Sequence, residues 1–208
     1  MKVHLPCDNQ SMLILASASP RRSELLANAG FDFQVLSVPV NETPLPGETA
    51  AALVRRLAAS KARAAQQAAK SDPRFASFGP LLFLGADTIV TVDGQILGKP
   101  ADAADARRML HLLSGRTHQV LTGVALLTDG IEEIAAETTE VTFASLSPEE
   151  IAEYVATGVP MDKAGAYAIQ GYASRWVPRI RGCYFNVVGL PISLVSALIE
   201  GVAATAAR

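Results

Sequence analysis

The fold begins in residues 12–26, which read MLILASASPRRSELL. An apolar run at 12–15 predicts a buried strand, and small or hydroxylated residues separate it from an amphipathic helix. Ser19 stands where an N-cap belongs, and Pro20 takes the first helical position, at which its missing N–H is no loss. We therefore expect a strand, a short connection and a helix that begins at Pro20.

The first turn of this helix carries two arginines, Arg21 and Arg22. Free N–H groups and the helix dipole make the amino end of a helix a natural anion site, and cations are disfavoured there unless an anion joins them. The two arginines therefore indicate a bound phosphate chain. Taken alone, the stretch fits equally well a capped helix whose arginines extend into solvent.

Composition narrows the class of protein. The chain has 208 residues, 50% hydrophobic and 18% charged, which suits one compact domain or two small lobes that share a cleft. Its net charge of −2, without a long basic tract, argues against a nucleic-acid partner. Residues 1–11 lack the apolar core of a signal peptide, and no apolar run is long enough to span a bilayer. Cys7 and Cys183 form no ligand pattern, so we expect a reduced cytoplasmic protein without a membrane partner.

Strand and helix patterns follow one another along the rest of the chain in no regular order. Strands are expected at 31–40, 81–92, 95–97, 117–128 and 131–146, with two short strands within 176–188. Helices are expected after the caps Thr49, Asp102 and Ser147, and from Pro191 onward. Without regular βαβ alternation, this order indicates an α/β fold with a mixed, twisted sheet and flanking helices.

Asp87 lies within an apolar strand pattern, LGADTIV at 84–90. Burial of a carboxylate costs several kcal/mol unless the group is paired or bound to a metal. Gly85 weakens the strand, yet it permits the close approach of a ligand or of another backbone segment. The pattern favours a functional carboxylate over an aspartate at a bulge that bonds to a nearby loop.

Two lysines are candidates for phosphate contacts. On the helix after Thr49, Lys61 shares one face with Leu53 and Leu57, so its ammonium either points into a cleft or extends to the edge of the core. Lys99 is held extended by the following Pro100. The surrounding glycines are not a P-loop, because a proline stands where Ser or Thr would bind magnesium.

Gln170 lies in a glycine-rich segment, DKAGAYAIQG at 162–171. Its amide offers a donor and an acceptor side by side, which matches the N3–H and O4 edge of uracil or thymine. A loop glutamine bonded to backbone is the alternative, and the residue taken alone favours that alternative.

Taken together, these segments resemble the Maf family of nucleoside triphosphate pyrophosphatases. The resemblance covers about 12–199 of the chain. It is carried by SASPRR at 17–22, SKA at 60–62, GADT at 85–88, GKP at 98–100, DKAG at 162–165 and VVGLP at 187–191.

The resemblance implies hydrolysis of a nucleoside triphosphate to the monophosphate and pyrophosphate, with a divalent metal, Mg²⁺ or alternatively Mn²⁺. It also implies two lobes around a central cleft, as in inosine triphosphate pyrophosphatases, and a homodimer. YAIQG at 167–171 is similar to the branch that acts on dTTP and UTP, a house-cleaning role in the nucleotide pool. We expect one catalytic domain at 12–208 after an N-terminal extension at 1–11.

Site residues carry over position by position. By resemblance, Asp87 is the proton acceptor, although it could mainly hold metal together with Glu42. Substrate choice falls to Arg21, Thr88 and Gln170, and phosphate binding to Ser19, Arg22, Lys61 and Lys99. Two rival functions remain open: a pyrophosphatase for another or modified base such as 7-methyl-GTP, and a nucleotide-binding regulator of cell division or septum formation.

Overall fold

The computed structural model describes residues 11–206. The predicted extension at 1–11 lies outside the described residues except for Ser11, and so does Cys7. The chain divides into two compact units. Within the described residues, the first unit contains residues 11–87, Thr122–Glu137 and residues 189–206, and the second contains Thr88–Leu121 and Thr138–Val188.

The elements form a mixed α/β arrangement. The strands are β1 (Met12–Leu15), β2 (Phe33–Val35), β3 (Leu81–Val92), β4 (Gln95–Leu97), β5 (Thr117–Thr128), β6 (Ile131–Thr142) and β7 (Arg179–Arg181). The helices are α1 (Pro20–Asn28), α2 (Ala50–Ala69), α3 (Ala103–Leu113), α4 (Pro148–Ala156), α5 (Tyr184–Val188) and α6 (Ile192–Ala206). Within residues 11–206, no helix is both long and apolar enough to cross a membrane.

The sheet is open and has the strand order β2-β1-β3-β5-β6-β7, with β4 paired to β3. β1 is parallel to β2 and β3, whereas β4 is antiparallel to β3, and β7 is antiparallel to β6. The predicted mixed sheet with flanking helices is confirmed. The implied cleft stays a prediction.

Two predicted strand ends and one predicted strand were wrong, each for a tertiary reason. The strand expected at 31–40 is only β2, because its partner β1 ends at Leu15, whose carbonyl accepts the last bond from the Leu36 N–H. The strand expected to reach 146 ends at Thr142, after which the Ala144 N–H donates to the Trp176 carbonyl. Of the two strands expected within 176–188, only β7 forms, and α5 replaces the other.

Asn186 accounts for the unexpected helix α5. It is fully buried, and its amide nitrogen donates to the Val120 carbonyl and to Thr139 Oγ1, both at 2.9 Å. Gly182, with a φ of +129°, allows the turn that precedes the helix. The local sequence is rich in β-forming residues, but these contacts with β5 and β6 override that preference.

Helix α2 lies directly against the backbone of the sheet in the first unit. A Cβ added to Gly85 would lie 2.1 Å from the Ala58 carbonyl oxygen, and one added to Gly123 would lie 2.2 Å from that of Val54. The buried face of α2 is correspondingly rich in alanine, including Ala62. Of the two alternatives for Gly85, the neighbour that approaches is therefore a backbone segment, namely α2.

His118 is buried in the second unit, where its Nε2 lies 2.8 Å from Tyr167 Oη. Burial lowers the pKa of His118 to about 4, whereas an unfolded histidine titrates near pH 6.5, so the unfolded state binds more protons between these values. We expect the free energy of unfolding to fall by up to about 3 kcal/mol from this group as the pH drops from 6.5 to 4. Urea unfolding of the unmodified chain and of His118→Gln across that range isolates the contribution. An equally steep decline in the variant would contradict the assignment.

Candidate active site

Two carboxylates from separate segments of the first unit, Glu42 and Asp87, converge at Lys61, and the three form a triad. Its Nζ lies 2.6 Å from Glu42 Oε1 and 2.7 Å from Asp87 Oδ1. The side chains are 53% exposed for Glu42, 15% for Lys61 and 10% for Asp87, so the triad extends from the surface to a buried carboxylate. The Lys61 ammonium is thus held in an ion pair, and the buried Asp87 has a cationic partner.

Local geometry explains why α2 and β3 deliver this pair. Gly85 and Asp87 are two residues apart on β3, so both face α2. Ala58 and Ala62 of α2 meet Gly85 at close range, and Lys61 lies between them along the helix. The close approach at the glycine therefore places the ammonium beside the carboxylate.

Arg22 is buried at the start of α1, although the sequence left its exposure open. Its Nε donates to the Gly189 carbonyl at 2.8 Å, and its Nη1 donates to Ser17 Oγ at 3.0 Å. Burial lowers the pKa of Arg22, while the negative charge of Asp87 acts in the opposite direction. The two hydrogen bonds hold the guanidinium in place, and its positive charge interacts with Asp87 and Glu42 of the triad.

Ser17 organises the connection before α1, a role that sequence reasoning missed. Its Oγ accepts from the Ser19 N–H at 3.2 Å as well as from Arg22. Ser19 takes the predicted N-cap position, but within the described residues its hydroxyl makes no capping bond to the first turn. The only sequence signal for Ser17 was its place in the small, hydroxylated stretch before the helix.

The remaining predicted residues divide between the units. Arg21 lies in the first unit, where its charge contributes to lowering the pKa of Arg22. Thr88, Lys99 and Gln170 lie in the second unit. Lys99 and Gln170 are exposed, and neither side chain bonds to another residue in the described part of the chain.

One backbone hydrogen bond joins the two loops of the second unit that carry Lys99 and Gln170. The Gly165 N–H donates to the Gly98 carbonyl at 3.0 Å. Ala166, which follows, is fully buried with a φ of +61°, a conformation that non-glycine residues rarely adopt. Strained backbone of this kind persists where the surrounding structure imposes it, often beside functional sites.

The triad contains two carboxylates, the ligand type that Mg²⁺ prefers in proteins. Among residues 11–206, no group of three or more His, Cys, Asp or Glu side chains could hold an ion. Glu42 and Asp87 nevertheless direct one oxygen each at a single cation, the Lys61 ammonium. Two carboxylates suffice for Mg²⁺, which usually keeps several waters and takes further oxygens from substrate phosphates.

Comparisons with known proteins identify the family of the chain. A model of the family described as "Maf-like protein" matches residues 12–202. A dTTP/UTP pyrophosphatase of Citrifermentans bemidjiense is 54% identical over 88% of this chain and 91% of its own length. A second protein of that name, from Koribacter versatilis, is 55% identical over 88% of this chain and 90% of its own. A third, from Symbiobacterium thermophilum, is 53% identical over 86% and 88%, respectively. With a family model that spans β1 to α6 and relatives that align over most of both lengths, the chain belongs to the Maf family.

Proposed function

We propose that this chain hydrolyses dTTP and UTP to the nucleoside monophosphates and pyrophosphate. The observation that carries the proposal is the Glu42–Lys61–Asp87 triad beside the buried Arg22, which combines carboxylates with cations suited to a phosphate chain. The names of the relatives supply the two bases. Removal of unwanted nucleotides from the pool is the role that we propose for the reaction.

The proposed reaction is attack of a water oxygen on the α-phosphorus. The bond from that phosphorus to the oxygen bridging to the β-phosphate breaks, and pyrophosphate leaves with the bond electrons. Asp87, which is buried and acceptor-only when ionised, takes the proton of the water. Lys61 and Arg22 stabilise the charge that develops on the phosphate oxygens, while Ser19 and Lys99 make further phosphate contacts.

A divalent metal, Mg²⁺ or Mn²⁺, would be held by Glu42 and Asp87 and would neutralise phosphate charge when bound. Both carboxylates point toward the same place without the metal, because each contacts the Lys61 ammonium.

We assign substrate choice to Arg21, Thr88 and Gln170.

Release of pyrophosphate from a nucleotide panel tests the proposal. We expect dTTP and UTP to be cleaved fastest among dTTP, UTP, CTP, ATP, GTP, ITP and 7-methyl-GTP, with activity lost when a chelator removes the metal. Preference for 7-methyl-GTP or ITP would favour the rival base specificity. Nucleotide binding without turnover would favour the regulator.

Gln170→Glu is expected to reduce turnover of dTTP and UTP more than that of the other nucleotides. The carboxylate keeps the size of the side chain but loses the amide donor that pairs with O4 of the base. When a polar contact is made to one kind of base only, its loss changes the specificity ratio by about tenfold or more. Specificity ratios measured by kcat/KM decide the matter, with Gln119→Glu, an exposed glutamine of the same unit, as control. An equal loss for all bases would remove the reading role.

We also propose that the chain acts as a homodimer in the cytoplasm, without a nucleic-acid or membrane partner. The family resemblance supports the dimer, and the net charge of −2 supports the absence of a nucleic-acid partner. Sedimentation of the purified chain measures its oligomeric state. A salt-dependent gel-shift assay with duplex DNA and RNA measures nucleic-acid binding.

A further inference from the structure

We infer that Arg56 and Glu48 are positioning residues that fix the loop carrying Glu42 onto helix α2. The inference rests on the proposed function, because it concerns the geometry of the same triad. We call the Arg56–Glu48 pair the loop clamp. Neither Arg56 nor Glu48 is among the residues that the sequence patterns single out.

The loop that carries Glu42 lies at the surface, outside the helices and strands. Residues 41–47 are all exposed and have no regular secondary structure. A hydrogen bond within the loop links residues only two positions apart: Asn41 Oδ1 accepts from the Thr43 N–H at 2.9 Å. Yet Glu42 must keep its carboxylate 2.6 Å from the Lys61 ammonium.

Glu48 is held by both the arginine and its own loop. Its Oε1 accepts from Arg56 Nε at 2.6 Å, and its Oε2 accepts from Arg56 Nη2 at 2.8 Å and from the Leu45 N–H at 3.0 Å. The Glu48 side chain is only 7% exposed. These bonds lower the pKa of Glu48 to about 2, with the Arg56 hydrogen bond as the main cause. The carboxylate is therefore ionised at every pH at which the enzyme would be assayed.

Arg56 also contacts the loop directly beside Glu42. Its Nη2 donates to the Thr43 carbonyl at 3.1 Å, one residue after the triad carboxylate. A bidentate guanidinium–carboxylate pair defines an orientation as well as a distance, which a lysine in its place would not. The loop clamp therefore acts on both sides of the loop, at Thr43 and at Glu48.

Helix α2 connects the clamp to the triad. Arg56 and Lys61 lie five residues apart on this helix, an axial separation of about 7.5 Å. The helix thus holds the loop through Arg56 and presents the ammonium that meets Glu42 through Lys61. Because both contacts are on one rigid element, the clamp sets the position of Glu42 relative to Lys61 and Asp87.

Arg56→Met is expected to lower kcat/KM for dTTP by roughly ten- to a hundredfold, because a small displacement of a site group has effects of this size. Arg56→Lys, which keeps the charge without the fork, should recover only part of the loss. Arg63→Met is the matched control: this arginine of the same helix makes an exposed ion pair with Glu132, and its loss should leave kcat/KM unchanged.

A double-mutant cycle with Glu42→Gln separates positioning from general stability. If Arg56 acts through Glu42, Arg56→Met should cause little further loss of kcat/KM in the Glu42→Gln background. A full additional loss in that background, or unchanged kcat/KM in Arg56→Met alone, would overturn the inference.

Hydrogen exchange of the loop amides measures the clamp without reference to activity. In Arg56→Met, amides at 41–48 should exchange at least about tenfold faster than in Arg63→Met, because the loop opens more often. Equal exchange in the two variants would overturn the inference. Absence of pyrophosphate release from the unmodified chain would instead refute the proposed function, and the exchange experiment distinguishes these failures.

Discussion

Asp87→Asn is expected to lower pyrophosphate release from dTTP by roughly 10²–10⁴-fold, the usual range for loss of a general base. Asparagine has the same shape and keeps an oxygen that can accept the bond from Lys61 Nζ, now 2.7 Å from Asp87 Oδ1. It has no basic oxygen for the proton of the attacking water. The variant should therefore fold and bind nucleotide but turn over slowly.

Removal of the negative charge has a second, smaller consequence. The charge of Asp87 partly offsets the burial of Arg22, so the variant should also unfold at a somewhat lower temperature. Asp72→Asn is a matched control, because Asp72 pairs with Arg74 in the same unit but outside β3 and α2. Circular dichroism and kcat together test the assignment. Near-normal turnover, or a variant that does not fold, would contradict the role of Asp87.

The sequence singled out members of the candidate site but not the contacts that join them. Asp87 and Lys61 stood out locally, one as a carboxylate in an apolar strand and the other as a cation on an apolar helix face. Their contact joins residues 26 positions apart, and that of Arg22 with Gly189 spans 167 positions. Long-range pairing depends on how α1, α2 and the sheet pack, which local patterns do not encode.

The same limit applies to the fold. Helices with strong caps were predicted closely: Thr49 caps α2, and the predicted cap Ser147 forms a capping box with Glu150 at the start of α4. The strand ends were wrong because a neighbouring strand, not the segment itself, sets where pairing stops. In α5 the buried contacts of Asn186 outweigh β propensity, and no nearby residue signals them.

Gly85→Ala is expected to destabilise the fold by about 3 kcal/mol or more, at the upper end of the range for overpacking. The new Cβ would lie 2.1 Å from the Ala58 carbonyl oxygen and 2.9 Å from the Ala62 nitrogen. Both neighbours are backbone atoms of α2, so relief requires movement of the whole helix instead of one side chain. Urea unfolding measures the loss.

The matched control adds the same methyl group with the opposite expected sign. Gly201 lies within α6, and a Cβ there meets no atom within 4 Å, so Gly201→Ala should stabilise the chain by about 0.5–1 kcal/mol. In the folded fraction of Gly85→Ala, displacement of α2 should also move Lys61 from Asp87 and reduce turnover. If Gly85→Ala unfolds at the same midpoint urea concentration as the unmodified chain, the close packing at Gly85 is contradicted. Normal turnover in a destabilised Gly85→Ala would show that the helix can move while the ion pair survives, and would separate the packing role of Gly85 from any role in the site.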